Sequence, residues 1–343
     1  MSKKNILSDI IFRKYNQLKN KKKLEINTSN KIVENQYVNI GGIEQWISIR
    51  GEDFNNPALL FIHGGPASTY TIFSPLLRSW EKYFTIVHWD QRGAGKTFGK
   101  NKERGSGLIS FKRLAQDGIE VTDYICKRLG HPKIILIGSS LGSLISTIMI
   151  KERPDLFFAY VGTDQNAPDP KFISYQLQLN TLKEVGDTKG VQLIEKMGPD
   201  FSKWSRKDYD ELNKHIIKSI DKVPNMIMDL IFPYMISSPD HKIRDLINIF
   251  KGMDYSLNYL FDELRTFDIR EVGMKFDLPF FVFQGDTDIL TPTETAKAYF
   301  NEIDAPHKEF VLIKQAGHLA CFARPNQFLE ELNKRVMPWC NTN

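Results

Sequence analysis

The sequence predicts an α/β chain: a mostly parallel sheet flanked by helices on both faces, with an inserted helical cap. Three observations lead there. Over residues 58–162, short apolar runs rich in β-branched and aromatic residues alternate with amphipathic stretches, the pattern of buried parallel strands joined by crossover helices. Between 163 and 275 those runs vanish and the apolar spacing turns helical. The runs return at 279–284 and 308–313, each followed closely by a glycine-bearing polar turn.

The elements follow in order. Residues 33–40 and 43–50 alternate well enough to be two antiparallel strands joined at Gly41-Gly42. A strand at 59–62, a helix near 70–82, a strand at 85–89 and a helix at 110–129 come next, then a strand at 134–137, a helix after Ser140 and a strand at 157–162. The insertion holds a lysine-rich amphipathic stretch at 201–223 and a Met/Ile/Phe-rich one at 225–236. The last helix is expected at 326–336. The division is therefore a basic arm over 1–32, a core over 33–162 and 276–343, and a cap over 163–275.

Chemistry concentrates at strand ends. Gly138-Ser139-Ser140-Leu141-Gly142 stands between an apolar strand and an apolar helix, and its two glycines let strand and helix backbones approach at a strained elbow that holds a serine out for attack. A nucleophilic serine needs a base, and the base an orienting carboxylate. His318, after the strand at 308–313, and Asp288, after the strand at 279–284, have the right positions and chain order. Asp286 competes with Asp288 for the orienting role. The turn His63-Gly64-Gly65-Pro66 follows the strand at 59–62, so the amides of Gly65 and Leu141 are assigned to an oxyanion hole, worth about 3 kcal/mol per donor in such sites. Asp164 and Gln165, just after the strand at 157–162, are candidates for substrate contact, as is Trp204 in the cap. If His318 is the base, an acid limb of kcat/KM near the ordinary histidine value of about 6.5 is expected.

These motifs resemble the proline iminopeptidase-like group of the α/β-hydrolase fold: His63-Gly64-Gly65-Pro66, Asp90-Gln91-Arg92-Gly93-Ala94-Gly95, the Ser140 elbow, 285–288 and Gly317-His318. The resemblance spans about 33–337 and implies a triad of Ser140, Asp288 and His318, with residues 90–95 shaping the turn beside the nucleophile. It also implies an aminopeptidase acting on a short peptide or small molecule. The chain departs from the group at Ala67 and Thr97, where glycine and serine are usual, and at 201–205, which keeps Trp204 without the glutamate that holds a substrate's amine. A carboxylesterase or lactonase acting on a small apolar ester is therefore the alternative. A non-catalytic receptor on the same fold is a third reading, opposed by the complete set of three residues.

Composition narrows the partners. The 343 residues carry a net charge of +5, but residues 1–23 hold eight bases against Asp9 alone, and removing that +7 leaves the remainder at −2. A slightly acidic body is not a nucleic-acid surface. In the arm Leu7, Ile11, Tyr15 and Leu18 recur at helical spacing among lysines, which predicts an amphipathic helix packed on the body, with contact to an anionic membrane surface as the sharper alternative. Three cysteines without C-x-x-C spacing indicate neither a disulfide framework nor a zinc site, and a cytoplasmic location is expected. No cofactor is expected: there is neither a P-loop nor a dinucleotide fingerprint.

Overall fold

The computed structural model describes residues 6–219 and 223–340. Two helices, α1 (Ile6–Ile11) and α2 (Arg13–Lys23), precede the sheet. Its strands are β1 (Ile32–Ile40), β2 (Ile43–Gly51), β3 (Ala58–Ile62), β4 (Thr85–Asp90), β5 (Ile134–Ser139), β6 (Phe157–Thr163), β7 (Phe280–Gly285) and β8 (Lys308–Ile313), in spatial order β1-β2-β4-β3-β5-β6-β7-β8. The first hairpin and the β2–β4 pair are antiparallel; every later pair is parallel. From β3 the chain steps outward to β4, then back across β3 to β5. That reversal opens a crevice at the carboxyl ends of β3 and β5, where a ligand site forms in open α/β sheets.

Period-two alternation splits the core into two layers because each central strand is covered on both faces. Leu60, Leu136 and Val282 point into one layer with Trp89 and Ile145, whereas Phe61, Ile137 and Phe283 point into the other with Trp80 and Phe328. The continuous apolar runs in the sequence reflect this two-sided burial.

The expected helix at 70–82 is broken into α3 (Ser74–Leu77) between two 3-10 turns. Pro75 near the start of α3 lacks the N–H that a helix running through from Tyr70 would need. Conversely, α4 (Gly95–Ser106) forms where the sequence pattern predicts no element, since its three glycines and sparse apolar residues mask any periodicity, and it kinks at Lys102, whose φ is 59°. Next come α5 (Phe111–Leu129), capped by the Ser110 hydroxyl, and α6 (Leu141–Glu152).

Between β6 and β7 the described residues contain no named strand. The chain runs through α7 (Ile173–Glu184), α8 (Thr188–Met197), α9 (Arg206–Ser219), a π-helical turn at Met226–Ile231, α10 (Phe232–Ser237) and α11 (Ile243–Thr266). Leu179, Leu182, Ile194, Trp204, Leu212 and Ile216 give α7–α9 a small core of their own. The α10 segment instead joins the main core, where Tyr234 meets Phe73 at 6.0 Å. After β7 and β8 come α12 (Thr293–Glu302), α13 (Ala320–Ala323) and α14 (Pro325–Glu331). No helix among the described residues is long and apolar enough to cross a membrane.

Candidate active site

The elbow between β5 and α6 is strained at its apex: Ser140 has φ 54° and ψ −127°, a region that L side chains rarely adopt. Its flanking glycines are sterically required. A Cβ on Gly142 would lie 2.1 Å from Ile62 O, and one on Gly138 2.5 Å from Ser146 Oγ. The elbow is pinned by Ser140 N–H donating to Thr163 O at 3.1 Å and by the Ser143 hydroxyl donating to Ser140 O at 2.7 Å. Strain held by this many contacts keeps the Ser140 hydroxyl in one place.

His318 and Asp288 arrive on the loops after β8 and β7. Those loops touch closely, since a Cβ on Gly285 would sit 2.4 Å from Gly317 O. His318 Nε2 lies 3.1 Å from Ser140 Oγ, and its Nδ1 lies 2.9 Å from Asp288 Oδ2. The carboxylate can only accept, so Nδ1 carries the proton and Nε2 is left to accept from the serine. Asp288 is itself held by the Leu290 and Thr291 amides on Oδ1, at 2.8 and 3.1 Å, and by the Thr291 hydroxyl on Oδ2 at 2.8 Å. Asp286 does not reach the imidazole: its Oδ1 accepts from Ala316 N–H at 3.2 Å and ties the two loops together.

A second carboxylate stands behind the histidine. Asp164, fully buried and at φ 50°, accepts from Ser139 Oγ at 2.9 Å and from Ala320 N–H at 3.1 Å. Burial pushes its carboxyl up, and the neighbouring imidazole opposes that push. For His318, burial pulls the pKa down, but the charge and hydrogen bond of Asp288, helped by the charge of Asp164, more than reverse it, and it rises to about 9. That differs from the ordinary value expected on sequence, because two buried carboxylates face one imidazole.

The turn after β3 completes the surroundings. A Cβ on Gly64 would lie 2.7 Å from Ser140 Cβ, so the Gly64-Gly65 backbone sits against Ser140, and Leu141 opens α6, where an amide has no helical acceptor. His63 lies beneath this turn; burial lowers it to about 4, so it is neutral, with Nε2 accepting the Gln91 amide at 3.3 Å and Nδ1 donating to Gly64 O at 3.1 Å. Arg92 is locked to Asp117 at 2.8 Å, with the pair buried. The 90–95 segment thus braces the turn at 63–66, with Gln91 bonding His63 through both its backbone and side-chain amides.

Neither Gln165 nor Trp204 hydrogen-bonds Ser140, His318 or Asp288, although Gln165 reaches Asp288 through Gln284, whose Nε2 donates to Asp288 Oδ2 at 3.4 Å. Gln165 is fully buried, its Oε1 accepting from Tyr160 OH at 2.8 Å and its backbone N–H donating to Gln284 Oε1 at 2.9 Å. Trp204 donates Nε1 to Gly198 O at 2.8 Å and borders a separate cavity of about 300 Å³ with Arg206 and Arg265. The structure adds Tyr70, Ser139 and Thr291 to the site. Tyr70 OH lies 2.8 Å from Ser139 Oγ and accepts from Gly64 N–H at 3.4 Å, which links the turn at 63–66 to Asp164 through Ser139. Thr291, three residues after Asp288, stands at the spacing at which a side chain meets a local turn, a signal that was readable.

Among the described residues one trio gathers metal-ligand atoms, Asp164, Asp288 and His318, within 4.8 Å of one another. Hydrogen bonds within the trio and to Ser139, Thr291 and Ala320 engage those atoms, an arrangement suited to holding a proton on a particular imidazole nitrogen.

A family profile described as alpha/beta hydrolase fold matches residues 57–325. The chain is 26% identical over 309 residues to the protein named "Probable aminopeptidase YbaC" of Bacillus subtilis (strain 168), covering 87% of this chain and 95% of that one. It is 22% identical over 301 residues to a proline iminopeptidase of Lactobacillus delbrueckii subsp. lactis, covering 88% and 96%. The crystal structure of a proline iminopeptidase-related protein from Thermus thermophilus superposes with a TM-score of 0.61 at 16% identity over 90% of this chain and 99% of that chain, a likeness of fold alone.

Proposed function

Because this chain belongs to the alpha/beta hydrolase fold family, we propose that it is a serine hydrolase that cleaves a small ester or amide through an acyl-enzyme. The reading is carried by the relay from Ser140 Oγ through His318 to the buried Asp288, at 3.1 and 2.9 Å. His318 Nε2 takes the proton as Ser140 Oγ bonds to the carbonyl carbon, the Gly65 and Leu141 amides receive the oxyanion, and the same proton passes to the leaving group as the intermediate collapses. Water, deprotonated by His318, then bonds to the acyl carbon, and as the bond to Ser140 Oγ breaks the proton returns from His318 to that oxygen, releasing the acid. Asp288 holds the tautomer throughout.

Within that reaction, an aminopeptidase of the proline iminopeptidase kind is the first reading, supported by relatives that match this chain over nearly their whole length. A second observation favours a neutral ester. The carboxylates that could replace the missing cap glutamate have protein partners: Asp164 with Ser139 and Ala320, Asp208 with the Ser205 hydroxyl at 2.8 Å, and Asp210 with Arg206 at 2.7 Å. Turnover of aminoacyl-naphthylamides, proline included, is to be compared with nitrophenyl esters of short and long chain. Hydrolysis of the first set supports the aminopeptidase; hydrolysis of esters alone supports the esterase. Failure of a fluorophosphonate to label Ser140, with no turnover of either set, overturns the hydrolase reading.

A further inference from the structure

The amino-terminal arm is an amphipathic helix laid on the body with its polar edge inward. Arg13 Nη2 donates to His241 O at 2.8 Å, Gln17 Nε2 to Ser238 O at 2.7 Å, and Asn20 Nδ2 to Ser237 O at 3.1 Å, so three side chains of one edge grip the turn after α10. Helical hydrogen bonding runs through the α1–α2 junction, from Phe12 N–H to Ser8 O and from Asn16 N–H to Phe12 O, both 2.9 Å. At about 100° per residue, Ile11, Tyr15, Leu18 and Lys22 fall on the line opposite that edge. Ile11, Tyr15 and Leu18 are 73%, 66% and 64% exposed. The arm therefore packs as expected, but with its faces reversed: a helix on a globular body ordinarily turns its apolar stripe to the core, and this one turns it to solvent.

We propose that this ridge docks the protein on an anionic phospholipid surface, with Ile11, Tyr15 and Leu18 at the acyl boundary and the flanking lysines among the headgroups. Charge selects that occupant. Lys14 and Lys21 border the ridge on one side, Lys19 and Lys23 on the other, and α2 contains no acid. An apolar ridge between two rows of lysines is the layout of an interfacial helix, and each cation held near an anionic leaflet adds to binding. A symmetric pairing of two arms would set +7 against +7, which disfavours a second copy as the partner. Two residues beyond His241, α11 begins with Ile243, Ile247 and Phe250 exposed at i, i+4 and i+7, beside Lys242, Arg244 and Lys251. At the other end of α2, a cavity of about 530 Å³ is lined by Lys23, Arg78 and Lys82 and by no acid.

The test uses the full chain with vesicles of phosphatidylcholine alone and with phosphatidylglycerol added, read by co-sedimentation. We expect binding to the anionic vesicles at least about tenfold tighter than to neutral ones, weakened by added salt. The triple variant Ile11→Glu, Tyr15→Glu, Leu18→Glu should weaken it by about tenfold or more, as should Lys14→Gln with Lys19→Gln, Lys21→Gln and Lys22→Gln. Retained fluorophosphonate labelling and an unchanged melting curve show that these variants fold. Wild-type protein that stays in the supernatant with anionic vesicles overturns the proposal. So does equal binding to both vesicles, full binding by the triple variant, or a dimer in solution that the triple variant disperses.

Discussion

Ser139, the residue immediately before the elbow serine, donates its hydroxyl to Asp164 Oδ2 at 2.9 Å, while Asp164 Oδ1 holds the Ala320 amide, two residues after His318. One buried carboxylate thus ties the elbow loop to the histidine loop and sets a second carboxyl group beside the imidazole.

The pH profile should record both carboxylates. Only neutral His318 can accept the Ser140 proton, so raising its pKa delays activity to higher pH: kcat/KM should climb along an acid limb above the ordinary 6.5, toward the value of about 9 of the substrate-free site. Asp164→Asn deletes one of the charges that raise it, and its limb should move to lower pH while the ester and free-amine substrates lose activity alike. If KM rises about tenfold for free-amine substrates only, Asp164 holds the substrate's amine instead of positioning the histidine.

Ser140→Ala should abolish turnover with the fold intact, since it removes one oxygen at the elbow. The variant should show the wild-type melting curve and no fluorophosphonate labelling. Retention of more than about a tenth of kcat would remove Ser140 from the mechanism.

Asp288→Asn should lower kcat by about 10⁴-fold, because an amide donor facing Nδ1 selects the wrong tautomer. Asp286→Asn keeps an oxygen for the Ala316 amide and should be much milder. Steady-state kinetics of the two variants decide the ranking, and its reversal would move the orienting role to Asp286.

Asp117→Ala strands the guanidinium of Arg92, whose side chain is 4% exposed, and removes the acceptor of Gln45 Nε2 at 2.9 Å. Breaking a buried pair in this way costs about 3–5 kcal/mol, to be read as a lower urea midpoint at unchanged slope. Equal midpoints would mean that Arg92 finds Ser106 O and Gly41 O sufficient.

Much of the fold was legible in the chain itself. Doubly buried strands must be continuously apolar, and a parallel sheet gathers its loops at one edge, so the elbow, the turn at 63–66 and the loops of Asp288 and His318 are legible as neighbours in the sequence. Local signals failed where composition hid them, as in glycine-rich α4, or where a proline broke the pattern, as at α3. What the tertiary structure alone decided are relations between residues far apart in the chain. Ser139 meets Asp164 and Tyr70, and Asp164 meets Ala320, across separations from 25 to 156 residues, and two carboxylates then lift His318 well above its ordinary pKa. The arm makes the same point: periodicity showed that α2 has two faces, but which face turns inward was settled by three carbonyls over 237–241, because a carbonyl withdrawn from water needs a donor and the polar edge of α2 supplied it.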